Sequence, residues 1–172
     1  LDPAAVKIGS GELREHALLR QVARTGKPVI LSTGMAYAHD VRQALLAVNH
    51  WDVALLHCVS AYPTPLDQVN LRAMDALKAF HCSVGLSDHT DDYMVPAFAV
   101  ARGACIIEKH LTLDVTLPGP DHHASLNPEE FRKMVLGVRN ITTILGDGHK
   151  RVMPCEAATM KAIGRDVSAL PR

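Results

Sequence analysis

Five short apolar stretches recur along the chain, and each of them ends in polar residues. They occupy residues 5–10, 29–33, 53–58, 84–89 and 106–110. Amphipathic segments with apolar residues at helical spacing lie between and after them, at residues 12–25, 38–49, 67–80, 91–102 and 127–145. Strands that alternate with helical segments are typical of repeated βα units. The pattern therefore predicts an α/β fold with a parallel sheet.

The number of βα units suggests part of a larger fold. A (β/α)8 TIM barrel has eight units and carries its catalytic groups at the C-terminal ends of the strands, where the polar residues of this chain lie. We expect residues 1–146 to form a partial barrel of about five βα units. These units would be the C-terminal part of the barrel, with about three more units preceding residue 1. Residues 147–172 lack clear periodicity and are interpreted as a linker. A complete, open five-stranded α/β fold is the alternative.

Composition and charge exclude several classes of partner. The 172 residues carry a formal net charge of +0, so no polyanion such as nucleic acid is indicated. No apolar run approaches the ~20 residues of a membrane-spanning helix. The 4 cysteines show no C-x-x-C spacing, and we expect buried, reduced thiols in a cytoplasmic protein.

Strand alternation brings the polar residues together on one face of the sheet. Successive side chains of a strand point to opposite faces, so Glu108 and His110 share one face while Lys109 points to the other. Ser87 and His89 share a face in the same way. If these faces point into the barrel, its mouth holds a mixed polar cluster of Lys7, Ser32, Ser87, His89, Glu108 and His110.

The two histidines of this cluster are candidate metal ligands. His89 and His110 end consecutive stretches, and neighbouring strands lie about 4.8 Å apart, so both imidazoles can reach one ion. A mixed nitrogen and oxygen environment with open positions suits Mn²⁺, with Mg²⁺ or Co²⁺ as other candidates, better than a closed zinc site. The alternative is that both histidines form hydrogen bonds with polar neighbours.

An anion site is the second hypothesis for this cluster. Lys7 lies inside a strand, where an unpaired ammonium is costly, and it can bind a phosphate or a carboxylate. The alternative is a lysine that reaches solvent at a sheet edge. The hydroxyls of Ser10, Ser32 and Ser87 can donate to the same anion, although each serine alone also suits a structural role.

Three further residues have competing interpretations. Glu12 opens a helical segment, so it either caps that helix or serves the site. Asp121 lies in a Pro-Gly-Pro-Asp loop, where a turn role competes with catalysis. Tyr62 either packs or lines the site.

Seven short motifs together resemble the sialic acid synthase family. They lie at residues 7–12 (KIGSGE), 31–35 (LSTGM), 56–58 (LHC), 62–65 (YPTP), 85–90 (GLSDHT), 107–110 (IEKH) and 119–122 (GPDH). They occur in the family order, and the resemblance extends from about residue 6 to about residue 167. One such motif is moderately specific, whereas the ordered set is very specific.

The resemblance implies a fold and an activity. Family members condense phosphoenolpyruvate with an N-acylated hexose such as N-acetylmannosamine, which yields a nine-carbon sugar acid (N-acetylneuraminate) and phosphate. They combine a (β/α)8 barrel with a small antifreeze-like domain and form homodimers, so the segment 147–172 would lead toward that domain. The chain alone is then expected to have little synthase activity.

The resemblance also implies roles for individual residues. His89 and His110 would bind manganese. The substrates would contact Lys7, Ser10, Ser32, Ser60, Tyr62 and Ser87. Glu12 and Asp121 would act near the sugar, and Glu108, which shares a face with the histidines, is interpreted as orienting water or a ligand. Some members carry asparagine at the position of Ser60, which leaves the acceptor sugar open.

Other functions remain open from the sequence. Within the family, the product is alternatively legionaminic acid, pseudaminic acid or a spore-coat sugar acid. A different phosphoenolpyruvate-dependent aldol synthase on the same barrel is a further alternative, as is a fragment that does not turn over substrate.

Overall fold

The computed structural model describes residues 2–49 and 52–165. Its strands are β1 (Val6–Ile8), β2 (Val29–Ser32), β3 (Val53–Cys58), β4 (Ser83–Asp88) and β5 (Ile107–Lys109). Its α-helices are α1 (His16–Ala23), α2 (Ala38–Val48), α3 (Ala73–Lys78), α4 (Val95–Ala101), α5 (Pro128–Leu145) and α6 (Ala157–Ala162). Short 3₁₀ turns lie at Ser10–Glu12, Leu66–Gln68, His122–Ala124 and Pro154–Glu156.

The sheet is parallel, and its strand order is the order of the chain. The sequence β1-β2-β3-β4-β5 contains no reversal. A doubly wound sheet reverses its order at a switch point and carries helices on both faces. Successive right-handed crossovers in one direction instead place every connecting helix on the same face. The predicted α/β partial barrel is thereby confirmed.

The helices cover the outer face of the sheet and form the core there. Strand residues that alternate outward pack against the apolar faces of the helices. The outward strand residues of this core are Ile8, Val29, Leu31, Val53, Leu55, Val84 and Leu86, and the helical ones include Leu19, Val22, Val41, Ala44, Val48, Met74, Leu77 and Ala99. Burial of this outer face leaves the inner face for polar side chains.

The sheet curves strongly, so that its two edge strands approach each other through their side chains. Lys7 on β1 and Glu108 on β5 form an ion pair with 3.4 Å between Nζ and Oε2. In a flat sheet four strand spacings would separate these residues by roughly 19 Å, beyond the combined reach of the two side chains. The curvature directs the inward residues of all five strands to a common space.

All five predicted helical segments contain a helix, but three of the helices are shorter than the periodicity indicates. Helix α4 covers only Val95–Ala101 of the segment predicted at 91–102. The segment predicted at 67–80 begins as a 3₁₀ turn, and Asn70, with a φ of 48°, interrupts it before α3. The segment predicted at 12–25 likewise begins as a 3₁₀ turn ahead of α1. The clearest prediction is confirmed, because Asn127 caps α5 by accepting hydrogen bonds from the backbone of Glu129 and Glu130.

The segment predicted as an irregular linker contains some regular structure. A 3₁₀ turn and helix α6 lie within residues 147–165, although periodicity did not indicate them, since α6 has only six residues. The remaining part of the predicted linker, 166–172, lies outside the described residues. Within the described ranges, no helix is long and apolar enough to cross a membrane.

The cysteines are all free thiols, as predicted, but they are not all buried. Cys58 is buried and Cys82 is partly buried, whereas Cys105 and Cys155 are exposed. The expectation of burial is therefore wrong for Cys105 and Cys155. The former precedes its strand instead of lying within it, and the latter belongs to the 3₁₀ turn before α6.

The loops that follow β1, β2 and β3 meet at Gly34. The backbone N–H of Gly34 donates to Ser10 Oγ at 3.0 Å. A Cβ atom built on Gly34 would lie 2.3 Å from Ser60 Oγ, 2.8 Å from Ser10 Oγ and 3.1 Å from Cys58 Sγ. A larger residue here would force these three side chains to shift, so their close approach favours glycine.

We predict that Gly34→Ala destabilises the protein by about 1–3 kcal/mol, because the added methyl group overpacks this junction. Urea unfolding followed by circular dichroism measures the loss. Gly11→Ala is the matched control, since a Cβ at Gly11 meets nothing within 4 Å. Equal unfolding midpoints for the two variants would show that the three loops accommodate the added methyl group without loss of stability.

Candidate active site

The inner face of the sheet lines a polar cavity of about 430 Å³ at the C-terminal ends of the strands. Its lining residues are Lys7, Gly9, Ser10, Gly11, Ser32, Met35, Cys58, Ser60, Tyr62, Ser87, His89, Glu108 and His110. Every side chain that the sequence singled out contributes to this cavity except Glu12 and Asp121. The strand termini thus bring together residues that are as much as 103 positions apart in the chain, from Lys7 to His110.

One side of the cavity offers hydrogen-bond donors. Lys7 Nζ donates to its neighbouring carbonyl, Ile8 O, at 3.2 Å and faces the Glu108 carboxylate. Ser32 is 2% exposed, and its Oγ has no hydrogen-bond partner among the described residues. A buried hydroxyl without a partner costs about 1–3 kcal/mol, so this atom marks a place where a polar ligand can bind.

The thiol of Cys58 also lines the cavity. Ser10 Oγ donates to Cys58 Sγ at 3.4 Å, while Ser60 Oγ lies 3.8 Å and His89 Nδ1 3.9 Å from the same sulfur. Burial raises the pKa of Cys58, but the hydrogen bonds from His89, Ser10 and Ser60 outweigh it, so the net pKa lies below its usual value. His57, the preceding residue, points away and contacts Val69 O at 2.7 Å.

His89 is oriented by the loop that follows β3. Its Nδ1 lies 2.8 Å from Val59 O, and because a carbonyl only accepts, Nδ1 carries the proton. In the neutral imidazole Nε2 therefore keeps a lone pair. The nearby Ser87 hydroxyl donates its single hydrogen to Glu108 Oε1 at 2.7 Å, so it does not occupy that lone pair. Burial lowers the pKa of His89, and its contacts with Cys58 and Val59 reverse this into a net increase.

Three aromatic rings pack together at the other side of the cavity. The ring centroids of His89 and His110 are 5.3 Å apart, and those of Tyr62 and His89 are 4.1 Å apart. Burial and the charges of Cys58, Asp121 and Glu108 raise the pKa of Tyr62, so its phenol stays protonated at neutral pH. The adjacent imidazoles, one with its Nε2 lone pair free, match the donor set expected for a divalent ion.

The described residues do not contain a ready-made metal cage. No group of three or more His, Cys, Asp or Glu side chains within the ranges 2–49 and 52–165 is arranged to hold an ion. Two protein imidazoles leave most coordination positions of an octahedral ion to water or substrate oxygens. This donor set fits a catalytic ion that binds a substrate better than a structural one.

Backbone contacts hold the loop after β3 against His89. The N–H of Thr64 donates to His89 O at 2.9 Å, and the Thr64 hydroxyl donates to Ala61 O at 2.8 Å. His123 Nε2 lies 3.0 Å from Tyr62 O, which connects the loop after β5 to the same segment. The Tyr62-Pro63 peptide bond is cis.

Two predicted residues lie outside the cavity lining. Glu12 is exposed, makes no side-chain cap, and folds back so that its Oε2 would lie 2.7 Å from a Cβ built on Gly9. Asp121 is exposed at the start of a 3₁₀ turn, where its carbonyl accepts from Ser125 Oγ at 2.7 Å. The structure therefore places neither carboxylate in the cavity wall, because both lie at 3₁₀ turns whose direction periodicity does not encode.

A buried ion pair behind the histidines was not singled out by the sequence. Lys109 Nζ lies 2.7 Å from Asp88 Oδ2, and the two side chains are 0% and 2% exposed. Each residue immediately precedes one of the candidate ligands, His110 and His89. Opposite charges at the outward position of two adjacent strand ends are the signal that could have revealed this pair.

Sequence relatives place the chain among known proteins. It is 46% identical over 169 residues to an uncharacterised protein of Methanocaldococcus jannaschii, with 96% of this chain and 50% of that protein covered. It is 41% identical to N,N'-diacetyllegionaminic acid synthase of Campylobacter jejuni, with 95% of this chain and 51% of the relative covered. The chain thus spans about half the length of the curated relatives it matches.

Solved structures support the same assignment. N-acetylneuraminic acid (sialic acid) synthetase from Leptospira borgpetersenii superposes with a TM-score of 0.81 and 37% identity, covering 92% of this chain and 57% of that one. A DAHP synthase from Thermotoga maritima, 17% identical with a TM-score of 0.72, shares the fold, with 83% of this chain and 46% of that one covered. The model of the NeuB family matches residues 1–150. The chain therefore belongs to the NeuB family, whose named members include synthases of sialic and legionaminic acids.

Proposed function

We propose that this chain supplies part of the active site of a synthase that condenses phosphoenolpyruvate with an N-acylated hexose to form a nine-carbon sugar acid and phosphate. Family membership supports the class of reaction. The observation that carries the proposal is the buried Ser32 hydroxyl, which lacks a partner among the described residues and lines one cavity with Lys7 and the two histidines. A buried hydroxyl without a partner favours the binding of a ligand that carries hydrogen-bond acceptors, such as a phosphate or a carboxylate.

The donor side of the cavity suits phosphoenolpyruvate. Lys7 supplies an ammonium, and the Ser32 hydroxyl supplies a donor that has no protein partner among the described residues. The Ser10 hydroxyl would donate to the anion only by turning away from Cys58, and the Ser87 hydroxyl only by turning away from Glu108. Glu108 currently pairs with Lys7 at 3.4 Å, so an incoming anion competes with this carboxylate. We infer that the anion displaces Glu108 from Lys7, which leaves Glu108 as an acceptor for Ser87 and for water.

The histidine side would hold the acceptor. His89 and His110 would bind a divalent ion, which we propose is Mn²⁺, with Mg²⁺ or Co²⁺ as alternatives. When bound, such an ion supplies Lewis acidity to a carbonyl oxygen. Tyr62 packs its ring against His89 and restricts the directions from which a sugar can enter.

The arrangement can assist condensation by holding the two substrates face to face. Aligned binding of this kind removes up to about 7–11 kcal/mol of the activation barrier, because the entropy cost of bringing the two molecules together is met on binding. We propose that Glu108, which lines the cavity and is held by the Ser87 hydrogen at 2.7 Å, orients water or a ligand there. In this proposal Glu12 and Asp121 act only after their loops turn toward a bound sugar.

N-acetylmannosamine is the acceptor that we propose, and the precursor of N,N'-diacetyllegionaminic acid is the second candidate. The second is favoured by one observation, which is the 41% identity to the legionaminic acid synthase over 95% of this chain. Ser60 lies in the cavity lining and is the residue that we propose discriminates between acceptors. Dimer formation stays a prediction.

The choice of acceptor can be measured as phosphate release. We predict that the protein encoded by the complete reading frame releases phosphate from phosphoenolpyruvate only when an N-acylated hexose and Mn²⁺ are both present. N-acetylmannosamine is compared with the hexose precursor of N,N'-diacetyllegionaminic acid. Mannose, which carries no N-acyl group, is the control. Equal release with mannose would contradict an N-acyl hexose synthase.

Replacement of Ser32 should separate binding from stability. We predict that Ser32→Ala weakens phosphoenolpyruvate binding about tenfold in calorimetric titration, since it removes a donor to a charged ligand. The free energy of unfolding should stay equal or rise, because the variant also removes a buried hydroxyl that lacks a protein partner. Ser83→Ala, at the exposed start of β4, is the control. Loss of stability without loss of affinity would mean that Ser32 has a structural role.

Metal binding can be tested on this chain directly, because both candidate ligands lie within it. We predict that His110→Ala weakens Mn²⁺ binding at least tenfold, since one of two protein ligands is lost. Electron paramagnetic resonance of free Mn²⁺ reports the affinity. His149→Ala, at an exposed position, should bind as the wild type does.

A further inference from the structure

The outer side of β4 and β5 carries a buried polar cluster opposite the two histidines. It consists of Asp88, Thr90 and Lys109. The side chains of Lys109 and Asp88 are 0% and 2% exposed, and Thr90 is 0% exposed. None of these side chains lines the cavity. The cluster therefore has no direct contact with a ligand in that space.

Hydrogen bonds within the cluster hold the backbone on both sides of His89. Asp88 Oδ1 accepts from the Thr90 N–H at 3.0 Å, and Asp88 Oδ2 accepts from the Thr90 hydroxyl at 3.1 Å. Lys109 Nζ donates to Asp88 Oδ2 at 2.7 Å and to the Thr90 carbonyl. Asp92 O lies 3.5 Å from the same ammonium. One lysine on β5 thus connects to residues before and after His89.

The cluster also fixes the register at the point where the histidines leave the sheet. Asp88 and Lys109 are direct partners and form the last pair of the β4–β5 ladder. His89 and His110 each follow this pair by one residue and point to the opposite face. Their Cα positions therefore depend on the residues that the ion pair joins.

Stability alone does not explain a buried ion pair here. The desolvation penalty of two buried charges offsets most of their attraction, and apolar side chains of similar volume often serve a core equally well. The pair instead fixes the register of the ends of β4 and β5 and the spacing between them.

We propose that Asp88 and Lys109 are positioning residues that hold His89 and His110 at the separation needed to share one divalent cation. The proposal rests on the metal site of the proposed function. It assigns the cation affinity of the cavity to an ion pair on the other face of the sheet. Neither residue contacts the cation in this arrangement.

The test uses the double variant Asp88→Asn/Lys109→Met, which preserves side-chain shape and removes the connection between the strands. We expect Mn²⁺ affinity, measured by electron paramagnetic resonance, to fall about 10- to 100-fold, the effect typical of lost ligand-orienting contacts. Phosphoenolpyruvate affinity without metal should change less than twofold, and the melting temperature should stay within a few degrees. The matched control is Asp75→Asn/Lys78→Met, which makes the same changes in an exposed pair.

Each outcome decides the proposal. Mn²⁺ affinity within twofold of the wild type in the folded double variant overturns it, and the metal site stands if His110→Ala still loses affinity. If the wild type and His110→Ala bind Mn²⁺ equally, the metal site of the proposed function fails and the positioning role falls with it. A parallel loss of phosphoenolpyruvate binding would show general distortion of the cavity and would also overturn a specific role.

A milder variant covers the case in which the double variant does not fold. Thr90→Val removes the hydroxyl that bridges the ion pair and keeps the side-chain shape. We expect Mn²⁺ affinity to fall several-fold. The control is Thr33→Val, because Thr33 is also buried at a strand end and its hydroxyl donates to Leu56 O at 2.9 Å, away from the histidines. Equal affinities of these two variants would overturn the proposal.

Discussion

The two-residue alternation of the parallel strands is the constraint on which the rest of the structure depends. It sends Leu86 and Asp88 outward beneath the helices and Ser87 and His89 inward to the cavity. A register shift of one residue would exchange these sets, so that Ser87 would face the core in place of Leu86. The same alternation therefore produces the core and the site, and neither can change independently of the other.

Curvature converts this alternation into a site. The strand order without reversal leaves the inner face without helices, and the ion pair of Lys7 with Glu108 at 3.4 Å shows how closely the two edge strands approach there. Polar side chains that would form a row on a flat sheet instead surround one space. In that space a cationic group, an unpartnered hydroxyl among the described residues, and two imidazoles line one cavity of about 430 Å³. The condensation of an anionic donor with a carbonyl acceptor that we propose would use an arrangement of this kind.

The structure also separates the residues that line the cavity from those that support them. Val59 and Thr64 orient His89 through backbone contacts, and Gly34 allows three strand-end loops to approach closely. Breaking one partner of the buried Asp88–Lys109 pair would cost roughly 3–5 kcal/mol, because the other charge would remain buried without compensation. Contacts of this kind lie outside the cavity, yet they determine the geometry inside it.

The sequence by itself determined the strands, their faces and the family, because apolar periodicity and short motifs are local properties of the chain. It also placed Lys7, Ser32, His89 and His110 on inward faces. The tertiary structure decided the contacts between distant segments: the pairing of Asp88 with Lys109, the closure of Lys7 on Glu108, and the absence of Glu12 and Asp121 from the cavity wall. These depend on sheet curvature and on turn directions, which arise from packing across many residues and leave no periodic signal in the chain.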